Sequence, residues 1–152
     1  MVVAVAFDHR GIVLRDAVIG ELERLGAEVL DLGTDRSEPR VDYPDKALEL
    51  GRAIRSGAAD RGVFVCSSGI GAAIAASKVD GIRAAVCHDG YSAHQGVEHD
   101  DMNVLCLGSE IVGPAVASEL VRAFVDARFD GGERYVRRLR KLELIEETRW
   151  AA

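Results

Sequence analysis

The stretch GVFVCSSGIGAAIAAS (62–77) decides the fold. Its first five residues form an unbroken apolar run, which predicts a strand covered on both faces, as in a parallel sheet. A glycine turn follows at Ser67-Ser68-Gly69-Ile70-Gly71, and the Ala-rich remainder reads as a helix. Upstream, VVAVAF (2–7) reads as a strand, a helix over about 12–25 stops at Gly26, and AEVLDL (27–32) is a second strand. The loop DLGTDRSEPRVDYP (31–44) leads into a helix over about 44–56. Downstream, IRAAVC (82–87) and NVLCLG (103–108) supply two more strands with a short helix between them. Helices over about 114–127 and 133–147 complete the chain. Five strands alternating with helices predict an α/β fold: a three-layer α/β/α sandwich around an open, five-stranded, parallel, doubly wound sheet. No repeat or linker divides the sequence, so residues 1–152 read as a single domain.

In such sheets ligands bind beyond the carboxyl ends of the strands. The polar and glycine-rich residues fall there: Asp8-His9-Arg10-Gly11, Cys66-Ser67-Ser68-Gly69, and His88-Asp89. Cys66 ends its strand where backbone N–H groups of a glycine turn and helix start favour an anion, whether a phosphate, an enediolate oxygen or a thiolate. The plainer alternative is a buried cysteine closing a strand. Nucleotide readings of the same loop fail. A phosphate loop needs Lys followed by Ser or Thr where this chain has Ala72-Ala73, and a dinucleotide fingerprint starting at Gly69 needs Gly or Ala where Ile74 stands.

Composition narrows the field. The net charge of −6 leaves no basic excess for nucleic-acid phosphates. No stretch approaches the roughly 20 apolar residues of a membrane span, and the start shows no signal peptide. Three cysteines, Cys66, Cys87 and Cys106, sit in or beside apolar runs, which argues against a disulfide framework and for a reducing cytoplasm. His94, Glu98 and His99 superficially suggest zinc, but the H-x-x-x-E-H spacing matches neither zincin pattern. No metal and no cofactor is expected. His99 is either a helix-end cap or a general acid/base, and local sequence leaves both open. Arg134 and Arg138, four apart, share one side of the last helix. They read either as a solvated face or as two forks for a phosphate dianion.

With these pieces in place, the chain resembles the ribose-5-phosphate isomerase B family, which includes the galactose-6-phosphate isomerase subunits. The motifs that carry the resemblance run in order along nearly the whole chain. They are VAFDHRG (5–11), DYP (42–44), VFVCSSGIGAAIAASK (63–78), GIRAAVC (81–87), HDDMNVLCLGSEIVG (99–113) and FDGGERYVRR (129–138). The resemblance implies a Rossmann-like sheet and metal-free aldose–ketose isomerisation of a phosphorylated sugar, foremost ribose 5-phosphate. Cys66 would take the proton from C2 and return it to C1 through a cis-enediolate. The turn Ser67, Gly69, Ile70 and Gly71 would hold that intermediate, with Ser68 relaying a proton between its oxygens. His99, with Asp100 beside it, would open the sugar ring. Asp8 and Tyr43 would contact sugar hydroxyls, and His9, Arg134 and Arg138 the phosphate. The implied assembly is a homodimer or homotetramer whose active sites draw on two subunits, with the last helix packed on a partner and the His99 segment reaching a neighbour's Cys66.

Departures from the family pattern bear on the substrate. Ser67-Ser68 stands where ribose isomerases have Gly-Thr, Asp100 replaces an Asn, and Tyr135 replaces a His. Glu110 occupies a position where many members place a phosphate-binding Arg and galactose-6-phosphate subunits often carry Glu. Arg10, in place of a small residue, is expected to supply the lost charge or to pair with Glu110. A tetrulose 4-phosphate or a hexose 6-phosphate such as that of allose or galactose is therefore an alternative substrate. A non-catalytic sugar-phosphate sensor is the alternative from another class, since a fold does not dictate a function. A flavin carrier fits less well, because Trp150 and the tyrosines do not sit at strand ends.

Overall fold

A computed structural model describes residues 1–34 and 40–148; the middle of the 31–44 loop and Trp150 lie outside the described residues. The five strands are β1 (Val2–Phe7), β2 (Glu28–Asp31), β3 (Arg61–Cys66), β4 (Ala84–Val86) and β5 (Val104–Gly108). They form one parallel sheet in the order β2-β1-β3-β5-β4. The helices are α1 (Arg15–Arg24), α2 (Tyr43–Arg55), α3 (Ile70–Ala76), α4 (Gly90–Asp100), α5 (Pro114–Asp126) and α6 (Glu133–Thr148). The α/β fold with its doubly wound parallel sheet is thus as the periodicity predicts.

Side chains alternate across a strand, and here both faces are apolar. Val3, Val5, Phe7, Val63, Val65, Leu105 and Leu107 pack into one buried cluster, to which α1, α4 and α5 contribute Leu22, Val97 and Phe124. Ala4, Ala6, Phe64, Cys66, Val104 and Cys106 point the other way, against Leu50 of α2 and Ala72 of α3. Each large side chain fully buried in this way contributes about 1.5–3 kcal/mol. Burial on both faces explains why the central strands read as unbroken apolar runs.

Element ends shift by a residue or more in several places, and three of these shifts have a local cause. The first helix is preceded by a 3-10 turn over Gly11–Leu14, because the Asp8 carboxylate accepts the amide N–H groups of Arg10 (2.9 Å) and Gly11 (2.7 Å) and bends the chain around itself. β2 starts one residue late, since Ala27 spends its N–H on Leu22 O in closing α1. β4 shrinks to three residues at the sheet edge, where Arg83 N–H goes to Asn103 Oδ1 (2.8 Å) instead of the ladder.

Glu21 clamps α1 to α5. The buried carboxylate accepts from Arg24 (2.9 and 2.6 Å) and from Arg122 on α5 (2.9 Å), and these guanidinium groups, Arg24 first, hold its pKa down to about 2 from an ordinary 4.5. A depressed carboxylate stabilises the fold above its unfolded pKa, and that stability drains away as pH falls towards the folded value. Both arginines are about half exposed, so screening limits the contribution to on the order of 1 kcal/mol. Between pH 5 and 2 the thermal midpoint of the wild type is therefore expected to fall more steeply than that of Glu21→Gln. Parallel curves would show that the clamp is not felt.

Candidate active site

The thiol loop is built from the end of β3. Cys66, 4% exposed, ends the strand, and Gly69 turns the chain with φ +79°, a left-handed conformation that favours glycine. The turn aims the Gly69 N–H at Cys66 Sγ, at 3.1 Å. Ser68 Oγ accepts from the Ile70 N–H at 3.3 Å, and the Tyr43 ring lies over Gly71, 3.0 Å from where a Cβ would stand. Burial pushes the other two thiols up, Cys87 to about 11 and the fully enclosed Cys106 well above the ordinary thiol value. Cys66 alone of the three stands at a strand end on this loop.

Asp8 follows β1, the strand beside β3, and is buried with its Oδ1 on the two amides of its own turn. His9 accepts from Arg40 Nε at 3.2 Å on Nε2, while its buried Nδ1 has no hydrogen-bond partner among the described residues. Arg10 pairs with Glu110, and Ser109 Oγ donates to Arg10 O at 3.1 Å, which ties the loop after β1 to the loop after β5. Both members of the Arg10–Glu110 pair are more than half exposed, so they form the rim of the site. At this end of the sheet the structure gathers Asp8, His9, Arg10, Tyr43, Cys66, Ser67, Ser68, Gly69, Ile70 and Gly71.

The remaining candidates collect at the opposite pole. α4 leaves the carboxyl end of β4 and runs back to the start of β5, which puts His99 and Asp100 beside the strand starts. Cys66 pairs with Gly108 at the top of the sheet and Gly62 with Val104 at the bottom, a separation of about 13 Å at strand rise. His99 stacks on Tyr135 of α6 with ring centroids 4.5 Å apart and planes at 21°. Arg134 covers the same Tyr135 ring at 4.4 Å and donates to its hydroxyl. The chain between α5 and α6 is pinned to α4 by Asp130 N–H on Glu98 O (2.9 Å). His99 Nδ1 is 2.7 Å from Gln95 Nε2; with the amide donating, the neutral ring carries its proton on Nε2, 3.6 Å from a Glu98 oxygen. Arg138 lies one turn beyond Arg134 on α6. A single chain thus keeps the thiol loop at one end of the sheet and the histidine with its arginines at the other.

Sequence reading noted Tyr135 only as a departure from the family's His and did not anticipate its stacking on His99. It passed over Arg40 and the acceptor role of His88, which takes the Gly108 N–H at 3.1 Å. Among the described residues no group of three or more His, Cys, Asp or Glu is placed to hold a metal ion, and no helix is long and apolar enough to cross a membrane.

Comparison with known proteins bears on this arrangement. Residues 3–142 match the family model described as Ribose/Galactose Isomerase. The chain is 40% identical to ribose-5-phosphate isomerase B of Escherichia coli over 97% of each chain. It is 39% identical to the D-erythrulose-4-phosphate isomerase of Pectobacterium atrosepticum over 86% of each. Ribose-5-phosphate isomerase B of Clostridium thermocellum superposes with a TM-score of 0.92 at 41% identity, covering 97% of this chain and 99% of that one. A match over almost the whole chain, in sequence and in fold, places it: the chain belongs to the ribose/galactose isomerase family and is a sugar-phosphate isomerase.

Proposed function

We propose that the chain interconverts ribose 5-phosphate and ribulose 5-phosphate with Cys66 as the base. The observation that carries the reading is Cys66 at the carboxyl end of β3 with the Gly69 N–H on its sulfur and Asp8 on the neighbouring strand end. The thiolate takes the C2 proton of the open-chain aldose, and the electron pair left behind forms a cis-enediolate. The thiol then returns the proton to C1, leaving the ketose. Amides of the turn from Gly69 to Gly71 stabilise the enediolate oxygen, the kind of preorganised donor set that contributes most to such steps. Ser68 moves a proton between the two oxygens.

Ring opening falls to His99 of a second copy, because one chain keeps His99 and Cys66 at opposite poles. Its Nε2 proton then faces the sugar ring, while the guanidinium groups of Arg134 and Arg138 face a phosphate that His9 and Arg10 approach from the thiol side. A homodimer or homotetramer joined in this way would cover Ile70 and Ile74 on α3 and Leu142 and Ile145 on α6, all exposed in the single chain. The enzyme works in the cytoplasm and, on this route, without a metal.

Two observations favour a different sugar on the same chemistry. A 39%-identical relative carries the name of a D-erythrulose-4-phosphate isomerase, and Glu110 takes up part of the charge of Arg10 at the rim. A panel of ribose 5-phosphate, erythrose and erythrulose 4-phosphates, allose 6-phosphate and galactose 6-phosphate, assayed with chelator present, tests the reading. Turnover of ribose 5-phosphate above the others is expected. Activity on none of them by folded protein would overturn the ribose 5-phosphate reading and point first to another sugar phosphate and second to a sensor. Arg10→Ala is expected to raise KM about three- to tenfold without moving Tm, since an exposed ion pair adds only about 0–1 kcal/mol to stability. An unchanged KM would remove Arg10 from phosphate binding.

A further inference from the structure

β4 stops short of the thiol loop. Its register with β5 ends at Val86↔Cys106, and the Cys87 N–H adds one bond to Cys106 O at 3.3 Å. Two residues further along β5, the Gly108 N–H has no strand left to receive it. His88 Nε2 takes that place at 3.1 Å, and Gly108 is buried, so a donor that would otherwise be desolvated without a partner is satisfied.

Gly108 meets the thiol loop on its other side. A Cβ there would fall 2.7–2.8 Å from backbone atoms of Ser68, so only the bare backbone fits. Ser109 N–H donates to Cys66 O at 2.8 Å and Glu110 N–H to Ser67 O at 3.0 Å. The end of β5 is therefore held between the imidazole and the segment from Cys66 to Gly69, whose own N–H is aimed at the sulfur.

We infer that His88 is a positioning residue for the isomerisation, acting through Gly108 to set the level of the loop that carries Cys66; the inference rests on Cys66 being the base. Reactions that depend on aligned groups lose rate steeply with small displacements. The ring needs a lone pair at Nε2 for this, so the property that matters is the acceptor rather than the aromatic volume.

Two variants of the full chain separate those properties. His88→Phe keeps a ring without an acceptor, and His88→Gln places an amide oxygen near the position of Nε2. Each is measured for kcat and KM on the panel sugar phosphate that wild type turns over fastest, and for hydrogen exchange at the Gly108 amide. The phenylalanine variant is expected to lose about tenfold in kcat at unchanged KM and to exchange Gly108 at least about tenfold faster. The glutamine variant is expected to recover both to within about threefold. Should the phenylalanine variant fail to fold, His88→Leu carries the same comparison. Faster exchange with wild-type kcat would overturn the inference, and so would equal impairment of the ring and amide variants. Full turnover by Cys66→Ala would instead overturn the base assignment, while leaving the Gly108 exchange response as predicted.

Discussion

Replacing Cys66 by alanine is expected to lower kcat for ribose 5-phosphate about a thousandfold or more, with KM changing less than about threefold. A positioned general base contributes about 10²–10⁴ in rate, and a base that serves both halves of the transfer removes both when lost. No other thiol can stand in for it. Burial pushes the Cys87 thiol up to about 11, and Cys106 is enclosed within the sheet. Asp8, His9 and Tyr43, the proposed sugar and phosphate contacts, stand on other elements, so substrate affinity should survive. Stopped assays with purified variant, checked for fold by circular dichroism, give the answer. A variant within tenfold of wild type would remove Cys66 from the proton transfer.

Mixing two inactive variants should restore activity. His99→Asn alone is expected to cost about a hundredfold, through loss of the ring-opening acid. When Cys66→Ala and His99→Asn subunits exchange, a mixed dimer has one site with both defects and one with neither. Random pairing then gives about one quarter of wild-type activity, as expected of a twofold assembly with shared sites. The basis is the separation of His99 from Cys66 within one chain: α4 carries His99 back to the strand starts, where it stacks on Tyr135. Complementation would fail if each chain used its own His99. Activity that stays at the level of the separate variants after confirmed exchange would show that.

Much of the fold was legible because local and global signals coincide. A strand covered on both faces has to be apolar at every position, which is why VVAVAF and GVFVC announce themselves, and the polar, glycine-rich residues crowd where those runs end. Asp8, Cys66 and the glycine turn were singled out by that rule, and the structure places them at neighbouring strand ends. Strand order was not legible. Periodicity carries no record of β5 inserting between β3 and β4, although that insertion sets Gly108 against Ser68. His99 remained ambiguous for a related reason. It does sit in the last turn of α4, where a cap would be, yet its aromatic partner comes from a helix more than thirty residues later. The role of His88 depends on an edge strand ending one residue early, which only tertiary packing decides. Arg10 and Glu110, a hundred positions apart, were linked beforehand through charge bookkeeping against the family pattern, and they do pair.

The most direct test of the enediolate route is the fate of the C2 hydrogen. Ribose 5-phosphate deuterated at C2 is converted in ordinary water, and the ribulose 5-phosphate formed is read by mass spectrometry and proton spectra. Transfer through a thiol predicts that part of the label is lost to solvent before it reaches C1, with a primary isotope effect on turnover. Ketose that retains every deuterium at C1 would mean a hydride moved directly between the carbons, and would contradict the account.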